Sequence, residues 1–228
     1  DRSAHYINKL GGHSKVDGSL KSIAPPLHYI ESELIKRTTE IGDRSVLCVA
    51  SSHEADEEIA LSVLESIPAN MLIVFVPRQI ERISVIRKKI EKMGVSVSTG
   101  NQQIHSNIRV HLVDKFGELG IWYRICSVAF VGGSFDETQG HNPWEAIQLN
   151  RPVLHGPNIR NFKNDYTRLD ACGLSHLIMS GDDLAEFLKQ DFTHLPAKQE
   201  SESFIHPLKD LETIANDLVL LMAGDRVR

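Results

Sequence analysis

The feature that most constrains this chain is a series of short apolar segments, each followed by a stretch of helical period. Residues 46–50 (VLCVA) form an unbroken apolar block, as expected of a central parallel strand covered on both faces. Residues 54–67 follow, with Ile59, Ala60, Val63, Leu64 and Ile67 on one stripe, which predicts a helix. Residues 71–76 (MLIVFV) read as the next strand. Ile80, Ile83, Ile86, Ile90 and Met93 mark a second amphipathic helix, which Gly94 ends. The alternation continues with strands over 108–113, 128–131, 153–154 and 177–179, and helices over 117–126, 143–149, 161–172 and 182–189. This spacing predicts an α/β fold, a doubly wound parallel sheet with helices on both faces. Ligands of such sheets bind beyond the carboxyl ends of the strands, so chemistry is expected in the loops that follow them.

The two ends differ from the middle. Residues 1–26 close on Ala24-Pro25-Pro26 and read as the remnant of a preceding domain plus a linker. Residues 27–206 form the main domain, and 207–228 a C-terminal helix, strongest over 208–222. The apolar stripe of that helix predicts packing on its own domain or on a second copy of the chain. A net charge of −5 argues against nucleic acid as a partner. No run of 18 apolar residues occurs, so no membrane-spanning helix is expected and the chain is expected to be soluble. Three scattered cysteines read as reduced thiols of a cytoplasmic protein, and eleven histidines in no metal spacing predict no zinc site.

The strand-end loops carry the unusual residues. Ser51-Ser52-His53-Glu54 follows the first central strand, with Ser51 and Glu54 at capping-box spacing; it reads first as a well-made helix start, and second as an anion site, which the acidic first turn disfavours. Arg78 follows the second strand, where a guanidinium can fork onto phosphate or carboxylate or simply form a surface ion pair. Phe116-Gly117-Glu118-Leu119-Gly120 follows the third, with glycines that let a ligand approach the backbone. The most informative stretch runs from Gly132-Gly133-Ser134 to Gly140-His141-Asn142-Pro143-Trp144-Glu145. Asn142 as N-cap, Pro143 at N1 and Glu145 at N3 explain the helix start. They do not explain the glycine-rich polar loop before it, which suits a backbone wrapped around a ligand. Neither GxGxxG nor GxxxxGK[ST] occurs.

Taken in order, Phe130-Val131-Gly132-Gly133-Ser134, Gly140-His141-Asn142-Pro143-Trp144-Glu145 and Arg151-Pro152-Val153-Leu154-His155-Gly156-Pro157 with Asn161-Phe162 resemble the Kdo transferases. Gly117-Glu118-Leu119-Gly120, Ser51-Ser52-His53 and Val76-Pro77-Arg78 stand in matching places, so the likeness runs from about residue 13 to 190. Gln79, Gln139, Trp144 and Ala146 depart from the family's usual residues. The family moves 3-deoxy-D-manno-octulosonate (Kdo) from CMP-Kdo onto a lipid A precursor in lipopolysaccharide biosynthesis. The resemblance implies the Rossmann-like C-terminal half of a GT-B glycosyltransferase, which binds the donor. The other half carries the membrane association at the cytoplasmic face of the inner membrane, the acceptor groove and the catalytic carboxylate of an inverting transfer. No position here matches that carboxylate, so the chain is expected to bind CMP but transfer nothing.

The resemblance implies roles for individual residues. Ser51, Ser52, Ser134 and Asn142 would meet the phosphate, with nearby N–H groups that include those of His53 and Gly133. Arg78 would face the phosphate or the sugar carboxylate, and Glu145 the ribose. The backbone from Phe116 through Gly117 and Glu118 to Leu119 would lie against the cytosine. His141 would support the loop or touch the phosphate. No cofactor or metal is implied. Two other readings stay open: the donor half of a UDP-sugar GT-B enzyme, and a non-catalytic α/β ligand-binding module.

Overall fold

The structure is a computed structural model that describes residues 2–14, 20–22, 24–190, 213, 215–216 and 219–220. The chain divides into two compact units: residues 1–25 with 205–228, and residues 26–204. In the first unit, helix α1 (Arg2–Lys9) ends in a turn where Gly12 N–H bonds the Ile7 carbonyl at 3.0 Å. Thr213, Ala215, Asn216, Val219 and Leu220 are helical. The rest of the helix expected over 208–222 lies outside the described residues.

The second unit is built on seven parallel strands: β1 (Val46–Ser52), β2 (Leu72–Pro77), β3 (Val97–Thr99), β4 (Val110–Leu112), β5 (Val128–Val131), β6 (Val153–His155) and β7 (Ser175–Leu177). Their order is β3-β4-β2-β1-β5-β6-β7, with every pairing parallel. Without the edge strand β3, this is the doubly wound order, and chain direction across the sheet reverses between β1 and β5. Val46, Leu47, Cys48, Val49 and Ala50 are all fully buried, the reason an unbroken apolar run is needed there. Leu47 and Val49, with Ile73, Phe75, Val128 and Phe130, face one core. That core is closed by α3 (Glu54–Ser62), α4 (Ile83–Lys92) and α8 (Gly181–Phe187). Helices α2 (Glu31–Ile41) and α5 (Leu119–Ile125) pack on each other, and α5 packs on β1. Two more helices, α6 (Trp144–Ile147) and α7 (Lys163–Ala171), follow β5 and β6.

The structure corrects several expectations. The helix expected over 54–67 ends at Ser62. Val63 to Ile67 continue as tight turns, with Ser66 N–H on the Val63 carbonyl at 2.9 Å, and still bury Val63, Leu64 and Ile67. The last strand stands two residues earlier than expected, because Ile178 already closes the core as a loop residue. Two elements of the second unit were not foreseen. The first, β3, is a three-residue edge strand with a weak alternating pattern. The second, α2, hides its signal in a charged residue. Arg37 is buried, and its guanidinium reaches the Gly100 carbonyl at 2.5 Å, the Gln102 carbonyl at 3.0 Å and Glu40 at 2.9 Å. A charge in that position satisfies a loop's carbonyls instead of water.

Candidate functional site

The loops after β1 and β5 leave the sheet side by side, at the point where strand order reverses. β1 ends in a bulge: its register with β2 shifts between Ala50 and Ser52, and Ser51 adopts φ +51°. That left-handed conformation is uncommon for a non-glycine residue and is a pointer to function. Ser52 is fully buried, and its hydroxyl donates to Glu57 Oε1 at 3.4 Å. Glu57, itself buried, is held by Arg82 through contacts of 3.0 and 2.7 Å. The Ser52 hydroxyl is therefore engaged inside the protein, beneath the site.

The cap of α3 differs from the one read in the sequence. Its N-cap is His53, and the His53 N–H donates to Asp56 Oδ2 at 2.9 Å, in place of a box between Ser51 and Glu54. The bulge moves the helix start past both serines. The same Asp56 Oδ2 accepts the Gly133 N–H at 2.7 Å, across the gap from β1 to β5. Burial pushes the Asp56 carboxyl above its ordinary range, against the downward pull of these two N–H groups.

The loop after β5 is largely closed on itself. Gly132 N–H bonds the Ala50 carbonyl at 2.9 Å, Gly140 N–H the Gly133 carbonyl at 2.6 Å and His141 N–H the Gly132 carbonyl at 3.2 Å. A Cβ on Gly132 would come within 2.8 Å of Asp56 Oδ2, Ser51 O and Ser52 Cα, so only glycine fits. The Ser134 hydroxyl is buried between the Val131 carbonyl at 3.3 Å and the Gly156 N–H at 2.7 Å, and joins the ends of β5 and β6. The His53 and His141 rings stack with centroids 5.1 Å apart and their Nε2 atoms 2.9 Å apart. One of those nitrogens must carry the proton and the other offer its lone pair. Burial, then His53 and Arg78, push His141 down to about 4, so it is neutral near pH 7. Asp136 approaches His53 Nδ1 at 3.7 Å from the other side.

Helix α6 begins at the far end of this loop. Asn142 Oδ1 accepts the Trp144 N–H at 3.2 Å, and Asn142 Nδ2 donates to Glu145 Oε1 at 3.2 Å. α7 braces the loop from behind, through Trp144 Nε1 to Asp165 at 2.8 Å and the Tyr166 hydroxyl to the His141 carbonyl at 3.1 Å. Arg78 is exposed, and its guanidinium makes no hydrogen bond or ion pair among the described residues; its charge is felt at His141. Phe116 is 74% exposed beside Gly117 at φ +87°, where α5 begins after Glu118. Gly120 has a different reason from the one expected: a Cβ there would stand 2.1 Å from the His28 carbonyl, so it serves packing.

The structure thus brings His53 and Gly133 against His141 and pairs Asn142 with Glu145, on the loops after β1 and β5, with Ser51 in the β1 bulge and Arg78 and the segment 116–119 following the neighbouring strands β2 and β4. Asp56 was missed as a site residue, because its reach to Gly133 spans the sheet. A pocket of about 490 Å³ opens between 136–139 and 157–167, with Asn158, Arg160 and Lys163 in its wall. Among the described residues, no group of three His, Cys, Asp or Glu is placed to hold a metal ion. No helix among them is long and apolar enough to cross a membrane.

The Rossmann-like parallel sheet with its polar loops at the switch point is a fold that the halves of GT-B glycosyltransferases also have. It superposes on the crystal structure of the C-terminal CMP-Kdo binding domain of WaaA from Acinetobacter baumannii, with a TM-score of 0.66 and 23% identity, over 78% of this chain and 100% of that one. It also superposes on Anabaena Alr3699/HepE in complex with UDP and glucose, with a TM-score of 0.59 and 12% identity, over 86% of this chain and 53% of that one. No protein-family model matches the sequence. The 3-deoxy-D-manno-octulosonic acid transferase of Rickettsia bellii is 30% identical over 165 residues, which cover 70% of this chain and 39% of that protein. The enzyme of the same name from Haemophilus influenzae is 36% identical over 138 residues, 58% of this chain and 32% of that protein. The chain is a relative of the Kdo transferases, and it spans 35–39% of the length of these Rickettsia enzymes from R. bellii and R. felis.

Proposed function

We propose that this chain is the donor-binding part of an inverting glycosyltransferase that moves Kdo from CMP-Kdo to a lipid A precursor. The observation that carries the reading is the pairing of the β1 and β5 loops at the switch point, in a relative of the Kdo transferases. Bond breaking at the donor places negative charge on the departing CMP phosphate. The Asn142 amide and the Arg78 guanidinium would stabilise it, each worth about 3 kcal/mol in the transition state; the His53 and Gly133 N–H groups, expected to help, are instead taken by Asp56. Ser51, lifted out of the strand by its bulge, would face the phosphate. Ser52 and Ser134 would hold the loops in place from below, a change from their expected direct contact. Glu145 would accept the ribose hydroxyls.

The backbone polar groups of Phe116 and Gly117 make no hydrogen bond among the described residues, which supports their use by the cytosine edge. The sugar acid would lie toward the pocket at 157–167, where Arg160 and Lys163 stand with Asp136 and Glu137 in the wall and the two cations would meet its carboxylate. No metal enters this scheme. Acceptor binding, proton removal from the acceptor hydroxyl and association with the inner membrane are assigned to the N-terminal half found in the family.

Calorimetry with CMP and UDP tests the reading on the chain itself. We expect CMP to bind, UDP to bind more weakly and no transfer to occur. Preference for UDP would favour the donor half of a UDP-sugar enzyme, the reading that the HepE superposition keeps in view. Binding of neither nucleotide would leave a non-catalytic α/β module.

A further inference from the structure

We infer that Asp56 is the positioning residue of this site: its Oδ2 ties the chain leaving β1 to the chain leaving β5 and fixes where the phosphate-side loop stands. The inference rests on the CMP reading above. Asp56 is fully buried in the first turn of α3, and one oxygen accepts two N–H groups, from His53 at 2.9 Å and Gly133 at 2.7 Å. The His53 bond is local and belongs to the helix start. The Gly133 bond spans 77 residues of sequence and belongs to the site.

Gly132 is shaped by the same contact, since any Cβ there would meet Asp56 Oδ2 at 2.8 Å. The carboxylate and the glycine therefore act as a matched pair that brings the β5 loop close to the β1 bulge. Oδ1 of Asp56 has no partner among the described residues. Asparagine in its place would keep an acceptor for both N–H groups but would bury an amino group with nothing to receive it. His53, held by the same atom, then presents its ring to His141 at 2.9 Å, so the carboxylate also sets the imidazole pair.

The test uses the whole chain, with ¹⁵N amide spectra, hydrogen exchange and CMP calorimetry on wild type, Asp56→Asn and Asp56→Ala. In the wild type the Gly133 and His53 amides should be protected from exchange. In Asp56→Ala the Gly133 amide should shift and lose protection, and CMP should bind at least tenfold more weakly, a change of about 1.4 kcal/mol; Asp56→Asn, which keeps the acceptor, should retain more of that protection and lose less affinity. Ile90→Val, a core variant far from the loops, controls for general loss of stability and should keep wild-type affinity. Three results overturn the inference: an unprotected Gly133 amide in the wild type, wild-type CMP affinity in Asp56→Ala, or an equal loss of affinity in Ile90→Val. If neither Asp56 variant folds, the wild-type exchange measurement decides. A wild-type chain that ignores CMP sinks the donor reading, and Gly133 exchange then judges the Asp56 link by itself.

Discussion

The loop after β5 and the loop after β4 leave the same edge of the sheet, and both fall in segments matched to the donor site, yet they are built in opposite ways. The β5 loop is wired inward. Gly132, Gly133, Gly140 and His141 all spend their N–H groups within the protein, and Ser134 is buried beneath them. The β4 loop is open: Phe116 is 74% exposed, and the backbone of Phe116 and Gly117 finds no partner among the described residues. The difference teaches how a nucleotide would be shared between them. A phosphate, whose charge changes during reaction, favours a rigid cradle that needs no reorganisation. A base, which carries no developing charge, can be met by loose backbone groups that order on binding.

Gly132→Ala should break the wired side most severely. Its Cβ runs into three atoms at 2.8 Å, two of them backbone, so the loop must shift. We expect stability to fall by about 1–3 kcal/mol, as for overpacked cores, with CMP binding lost. Chemical denaturation and calorimetry check this, and a variant that binds normally would show that the cradle is not tight.

Glu145→Ala should be felt in binding more than in folding. The residue is half-buried, so stability should change little, while CMP affinity drops at least tenfold, about 1.4 kcal/mol. Unchanged affinity in calorimetry removes the ribose role.

Acid should lower the stability of the fold by a definite sign. Burial first, then His53 and Arg78, depress His141 to about 4, and burial with Arg37 and Lys36 depresses His111 to about 3. The unfolded chain therefore holds more protons than the folded one below about pH 6.5, the ordinary histidine value. Stability should fall as pH drops through that value toward 4, and these two groups should have no effect above it. The melting temperature measured against pH should show the fall, weakened in His141→Asn. A flat profile would contradict it.

Phe116→Ala should have the smallest effect. If the backbone holds the cytosine, loss of the exposed ring should leave stability within about 0.5 kcal/mol. Affinity should fall by less than threefold. A larger loss would sharpen the comparison differently, because it would assign the ring a stacking contact of about 1–3 kcal/mol with the base.

Much of this architecture was legible in the chain. The block at 46–50 announced a strand covered on both faces, and Gly94 stopped a helix where it was expected to. Residues 128–131 became β5 with unchanged bounds. The polar loop before α6 was also visible as a pattern, but the helix starts at Trp144 with Pro143 as N-cap, one residue later than read, and Gly132 is needed for its approach to Asp56 rather than to a ligand. Less could be seen where a residue's meaning depends on a distant partner. Arg37 gave no hint that its charge would be buried against the carbonyls of Gly100 and Gln102, and α2 went unseen with it. Ser52 and Ser134 looked like ligands because hydroxyls at strand ends usually face outward; here Glu57 and Gly156 claim them.

The sequence by itself determined the alternation of elements, the loops that carry polar residues and the family likeness, because these follow from local periodicity and from the order of motifs. Tertiary structure alone decided which polar groups stay free. Hydrogen bonds between segments far apart in the chain, Asp56 to Gly133 above all, are set by strand order and burial, and no local pattern encodes them.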